Sequence, residues 1–366
     1  REVRANGSAE GGAAARGMEN SSTSSPKVIS RASTTFAWEC ARTATVPSIF
    51  PQERRSATLA PLQDDKLKMY YPMFLMSWHV LMGLKAMERH QDMRRRGQLK
   101  QWNENMDGRV IFISHEWLGA THPDPAGVQL HSLKTLLERL AGGQVSVYTD
   151  WRQQMVYKHN EIVAGAHWEK VLPHCFFWLD YAGVPQRIYP SGSAPSSDHR
   201  FVQGSGENDG MQRAVRSIPA YVERSSLFFI LAPCARHSDC EGRLCDLSTW
   251  RRRGWCRMET FCALLARRRL RLLHCVGPDA RAVFAGSSDA FHSRPGHGEF
   301  TCCACGHMQD GNLVPCDKPA LRGVMETLLT AAAEHFASIG DGNRMRYIYC
   351  RSAFWLEGLP EIPGPP

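Results

Sequence analysis

What most constrains this chain is a repeated alternation between short β-branched or aromatic runs and stretches with helical spacing. RVIFISHEW (109–117) is a run of the first kind, and PAGVQLHSLKTLLERL (125–140) is of the second, stopped by Gly142 and Gly143. The theme returns in CFFWLDYAGVPQ (175–186), RAVRSIPAYVERS (213–225), LFFILAPC (227–234), WCRMETFCALLARRR (255–269) and LRLLHCVG (270–277). Short, largely apolar strands alternating with helices predict a parallel sheet covered by helices on both sides. The expected fold class is α/β, a doubly wound parallel sheet. Such sheets bind ligands beyond the carboxyl ends of their strands, at the topological switch point. That rule directs attention to Ser114, His115 and Trp117, to Asp180 and the residues up to Gln186, and to the loop after Pro233.

The flanks read differently. Residues 1–60 are rich in Ser, Thr, Ala, Gly and Arg, with too little apolar surface to offset ordering entropy, and are expected to be a disordered leader. The opening residues have no signal-peptide pattern. YYPMFLMSWHVLMGLKAM (70–87) reads as a buried helix, because Pro72, Ser77, His79 and Lys85 leave it short of the roughly 18 apolar residues that span a bilayer. ERHQDMRRRGQLKQW (88–102) reads as an amphipathic helix. Residues 61–108 are therefore expected to form a helical brace, 109–280 the α/β domain, and 281–366 an extension packing on it. The Gly/Ser-rich stretches 190–210 and 286–298 are expected to be mobile loops. CDKPALRGVMETLLTAAAEHF (316–336) predicts a helix with Asp317 at its N-cap and Pro319 in its first turn.

Forty-four Lys and Arg against 36 Asp and Glu give a formal charge of +8 over 366 residues, partly concentrated in triplets at 94–96, 251–253 and 267–269. No zinc-finger, KH or RRM signature accompanies them, so nucleic acid is not an expected partner. Thirteen cysteines, several inside apolar runs (Cys175, Cys262, Cys275), suit a reducing compartment, and a cytoplasmic location without membrane contact is expected.

Three segments in order resemble the Toll/interleukin receptor (TIR) domain in its divergent plant and protist form. VIFISHEW looks like the family's opening strand, and FFWLDYAGVPQ resembles the strand that ends in an acidic residue before a functional loop. The stretch SIPAYVERSSLFFILAPC, followed by RGWCRMETFCALL, is similar to a helix, a strand and the helix bearing W-C-x-x-E. Trp255, Cys256 and Glu259 match that last motif, without its preceding Ser and with Thr260 in place of Leu. The likeness covers about 109–277 and lacks the Arg-Gly-Glu-Asp stretch after the first Ser. It implies a flavodoxin-like sheet, self-association into homo-oligomers and, in many members, hydrolysis of NAD or a related dinucleotide by the helix glutamate. The rival expectation is a non-enzymatic adaptor acting by self-association alone.

Cleaving a nicotinamide ribosyl bond builds positive charge on the anomeric carbon, which a fixed carboxylate stabilises. Glu259 is the candidate catalytic residue, and Trp255, one helical turn earlier, is placed to stack on the nucleotide. Ser114, His115, Trp117 and Asp180 are candidate nucleotide-binding residues at strand ends. The leaving group is already a pyridinium, so neither a metal nor a bound cofactor is expected. TCCACGHMQDGNLVPC (301–316) supplies Cys302, Cys303, Cys305, His307 and Cys316, yet with irregular spacing and no paired C-x-x-C, so no zinc is expected there. Cys234, His237, Cys240 and Cys245 fit a flexible loop better still.

Overall fold

Residues 110–113 feed two cores from one strand. Val110 and Phe112 point into one apolar cluster, Ile111 and Ile113 into another, and all four are buried. The computed structural model describes residues 48–50, 67–186 and 206–361, except 269, 287, 305, 310, 311 and 314. Among these, nine strands form the main sheet. They are β1 (Phe74–Ser77), β2 (Leu99–Gln101), β3 (Val110–His115), β4 (Val147–Thr149), β5 (Ile162–Val163), β6 (Phe176–Leu179) and β7 (Leu227–Leu231). A separate hairpin of β8 (Ala235–Arg236) and β9 (Leu244–Cys245) follows, then β10 (Arg271–Cys275) and β11 (Val283–Ala285) complete the sheet. A last hairpin pairs β12 (Met308–Gln309) with β13 (Asn312–Leu313).

The sheet order is β2-β1-β6-β3-β7-β10-β11-β4-β5. Its centre, β6-β3-β7-β10, is parallel. Taken in chain order these four strands lie 2-1-3-4, which is compatible with flavodoxin-like winding about a switch point beside β3. The expected all-parallel sheet is otherwise corrected to a mixed one. β1 joins β6, and β11 joins β10, in antiparallel fashion, while β2 and β5 close the edges. The few residues between Cys275 and Val283 allow only an antiparallel return, since a parallel neighbour needs a crossover of about a dozen residues.

The helical brace is also corrected. The segment expected to be one buried helix contains β1 and only the short helix Trp78–Gly83, and 88–102 holds the helix His90–Arg95 and β2. Pro72 biases Tyr71 away from helical backbone, and the Ser77 hydroxyl accepts the Val80 N–H, starting a helix only after the strand. Gly97, at φ +69°, ends the second helix in the left-handed region. Most of the expected leader lies outside the described residues. Of 48–50, Ile49 is buried in the second core with its N–H on the Gly108 carbonyl at 2.8 Å, so these three residues of the expected leader belong to the fold.

One face of the sheet, carrying Phe112, Trp178, Phe228 and Ile230, packs under the helices Ile218–Glu223 and Gly254–Leu265. The other, carrying Phe177, Phe229 and Leu273, packs under Val128–Ala141 and Gly165–Val171. The Phe112 ring stacks on Trp178 at 4.3 Å and on Phe228 at 5.3 Å. The helices Lys318–Ser338 and Gly342–Leu356 pack together, and the first also lies on Gly254–Leu265. Trp355 meets Phe261 with ring centroids 5.4 Å apart. Gly254–Leu265 is thus covered on both sides, which accounts for a helix that is apolar most of the way round.

Residues 190–205 of the first Gly/Ser-rich stretch lie outside the described residues, and its end begins the helix Gly206–Arg216. The second, 286–298, is corrected from a mobile loop to a packed one, with turns at Ser288–His292 and Pro295–His297 and with Ala290, Pro295 and Gly296 buried. Its glycines serve close approach: a Cβ at Gly296 or Gly298 would lie 2.4 Å from neighbouring backbone. Among the described residues no helix is long and apolar enough to cross a membrane.

Candidate functional site

The carboxyl ends of β3 and β6 carry a hydrogen-bonded network assembled from four distant parts of the chain. Ser114, the fifth residue of β3, donates its hydroxyl to Glu259 Oε2 at 2.5 Å and accepts the indole N–H of Trp250 at 3.1 Å. Glu259 reaches the strand because Gly254–Leu265 lies across the sheet with Cys256 against the His115 carbonyl. His115, the next residue, meets Asp180 Oδ1 through Nε2 at 2.7 Å and Gln129 Oε1 through Nδ1 at 2.8 Å. Gln129 gives its amide to the Glu116 carbonyl, which fixes its oxygen toward the imidazole. Both ring nitrogens therefore face acceptors, as an imidazolium requires. Asp180 also receives the indole N–H of Trp117 on Oδ2 at 2.7 Å and the Tyr181 N–H on Oδ1 at 2.6 Å.

These environments drive the two carboxylates apart. Burial pushes Glu259 up to about 8; the Ser114 hydrogen bond and the His115 charge work against that, and Asp180 adds to it. Burial works on Asp180 in the same direction, but the His115 charge and the N–H donors around it outweigh it and hold the group below its ordinary value. His115 is opposed by its own burial yet raised to about 9 by the Asp180 charge and its hydrogen bonds. Near neutrality the site holds a neutral Glu259 beside a His115–Asp180 ion pair. Access differs as well: Glu259 is 8% exposed, whereas the Asp180 side chain is 29% exposed. The Cys256 thiol is pushed well above its ordinary value, first by burial, so it is no nucleophile at neutral pH.

A cover lies over the strand ends. The segment after β3 turns back through a Leu118 N–H to Pro123 carbonyl bond of 2.8 Å and is held by the Ser238 N–H on the Leu118 carbonyl at 2.7 Å. Arg243 pairs with both Glu116 at 3.1 Å and Glu299 at 3.0 Å, joining this segment to the β8–β9 hairpin and to the C-terminal third. Beside the cover opens a cleft of about 520 Å3 lined by Met87, Glu88, Arg89, Arg95, His122 and Tyr181 among others. Glu259 does not line it. Tyr181 connects cleft and network: its hydroxyl accepts from Arg89 Nε at 3.2 Å, its ring meets Trp117 edge-on at 5.6 Å, and its N–H holds Asp180.

Of the residues singled out by sequence, Ser114, His115, Trp117, Asp180 and Glu259 come together. Trp255 does not join them. It lies in the first turn of its helix and donates its indole N–H to Asp317 at 3.0 Å. Asp317 consequently makes no side-chain cap bond to the helix that follows it. Gln129, Trp250 and Arg243 complete the site without any sequence signal, since each acts through a tertiary contact. Comparison with family models, with curated proteins and with solved structures gives no match for this chain.

Proposed function

We propose that this site hydrolyses the nicotinamide ribosyl bond of NAD or a related dinucleotide, in keeping with the resemblance of 109–277 to TIR domains. The observation that carries the reading is the convergence, at parallel strand ends, of Ser114, His115, Asp180 and Glu259 in one hydrogen-bonded network, where the surroundings push the two carboxyl groups in opposite directions. Environments that push two titratable groups apart mark acid and base roles. Asp180, ionised, partly open and held by three N–H donors, is placed to stabilise the oxocarbenium-like charge without reorganising. Glu259, protonated, is the partner for a ribose hydroxyl; the ribosyl–nitrogen bond breaks with nicotinamide leaving as a neutral base, and water adds to the anomeric carbon and gives its proton to Asp180 or to solvent. Trp117 and Tyr181 offer aromatic surface to a base, and Arg89, Arg95 and Arg96 line a wall suited to a diphosphate. Arg95 and Arg96 now pair with Asp92 and Glu88 at the surface, where partners exchange readily.

The test is nicotinamide release from NAD by the purified chain under crowding, beside Asp180→Asn and Glu259→Gln. Turnover that falls about 100-fold or more in each variant supports the reading. A folded, self-associated chain without turnover rejects it.

A second reading, self-association without catalysis, rests on a different feature. The helix Trp151–Tyr157 and the edge strand β5 expose Trp151 (75%), Met155, Val156 and Ile162, an apolar surface at a sheet edge. Sedimentation of the Trp151→Glu, Met155→Lys chain tests it: dispersal of an assembly formed by the unsubstituted chain supports this face as the contact, and unchanged assembly removes it.

A further inference from the structure

Away from the strand ends, folding gathers the cysteine-rich segment that irregular spacing had argued against. The short helix Thr301–Ala304 ends in a turn where Gly306 and His307 both take left-handed backbone, at φ +62° and +60°. The His307 N–H closes the turn on the Cys302 carbonyl at 2.8 Å. The β12–β13 hairpin then brings the chain back to Cys316. The ligand atoms of Cys302, His307 and Cys316 all lie within 4.8 Å of one another. Cys303 Sγ is 4.0 Å from the sulfurs of both Cys302 and Cys316. Zinc–sulfur bonds of about 2.3 Å at tetrahedral angles place sulfurs about 3.8 Å apart, so the 4.0 Å spacings from Cys303 to the other two sulfurs are close to those of thiolates sharing one ion.

We propose that Cys302, Cys303, His307 and Cys316 bind one zinc ion as a closed Cys3His structural site. Two further observations point the same way. The Asp317 N–H donates to Cys302 Sγ at 3.4 Å, the outer-shell bond that orients a thiolate ligand. The left-handed backbone at His307, a region histidine enters more readily than most residues, brings the imidazole to the thiols. The segment also has little regular structure to hold itself: two strands of two residues are far below what stands alone in water. A metal closing the loop supplies that stability as the thiols release their protons. Four protein ligands leave no open position for a substrate, which makes the role structural.

The experiment purifies the full chain under reducing conditions without chelator and measures zinc by plasma mass spectrometry. About one zinc per chain is expected, falling more than about tenfold in Cys302→Ser and Cys316→Ser. Cys350→Ser, exposed on the last helix, is expected to leave it unchanged. Because the buried Cys302 variant can fail to fold, the unsubstituted chain is also stripped and loaded with Co2+. Tetrahedral thiolate ligation then gives intense d–d and sulfur-to-cobalt charge-transfer bands. A reduced chain with no zinc and no such bands overturns the proposal. So does an intact mass about 2 Da low from a Cys303–Cys316 disulfide in metal-free protein.

Discussion

Replacing Glu259 by Gln is expected to make the protein more stable and to stop it working. The wild-type carboxyl titrates at about 8 when folded, against an ordinary value of 4.5. Between those values folding must protonate a group that is ionised in the unfolded chain, so stability falls as pH rises from 4.5 to 8 and levels off above. At about 1.4 kcal/mol per pH unit the penalty is roughly 3 kcal/mol at pH 7 and roughly 5 kcal/mol above pH 8. Gln never ionises and keeps an oxygen for the Ser114 hydroxyl. Its extra N–H, if buried without an acceptor, costs about 1 kcal/mol, leaving a net gain near 2 kcal/mol at pH 7. Urea unfolding of both chains at pH 5, 7 and 8.5 measures this. The gap should be close to zero or slightly reversed at pH 5 and widen at each step. A gap independent of pH, or a less stable Gln chain at pH 8.5, would show that Glu259 is not a destabilised buried carboxyl.

The other predictions concern neighbouring contacts. The His115 imidazole should titrate near 9 by NMR and drop below about 7 in Asp180→Asn, and a wild-type midpoint near 6.5 contradicts the ion pair. The His115 contribution to stability is fully present below 6.5 and lost as pH rises through 9, so His115→Gln should lower the thermal midpoint more at pH 6 than at pH 10. Gly254→Ala sets a Cβ 2.1 Å from the Phe300 ring and should cost about 1–3 kcal/mol, partly recovered by Phe300→Leu; no loss of stability would mean the helix start has room. Trp355→Ala, which empties a fully buried site against Phe261, should cost about 3–5 kcal/mol in thermal unfolding.

The parallel centre was legible because β6 and β7 are unbroken apolar runs, and β3 and β10 carry consecutive apolar residues that declare burial on both faces. The edges were not. β4 and β5 are three and two residues long, below what period alone distinguishes from loop. β1 was hidden in a stretch whose apolar density suits a helix as well as a strand, and only Pro72 and Ser77 hinted at the boundary. At the site, strand ends located Ser114, His115 and Asp180, and a motif located Glu259. That Glu259 is enclosed, that Trp255 turns to Asp317, and that Gln129 orients His115 are consequences of packing between segments over a hundred residues apart or on separate elements. The cysteine cluster shows the converse limit: spacing along the chain argued against a site that the turn at Gly306 and His307 assembles in space.

The double coverage of Gly254–Leu265 has a consequence for how the protein is made. A helix buried on both sides cannot be finished when its own sheet is finished. Phe261 waits for Trp355, and at synthesis rates of about 5–20 residues per second that wait lasts roughly 5–20 s. During it the nascent chain carries a nearly complete sheet whose helical layer still shows an apolar back to the cell. The protein is therefore expected to engage a chaperone that shields nascent apolar surface, and to release it only when the last helix emerges.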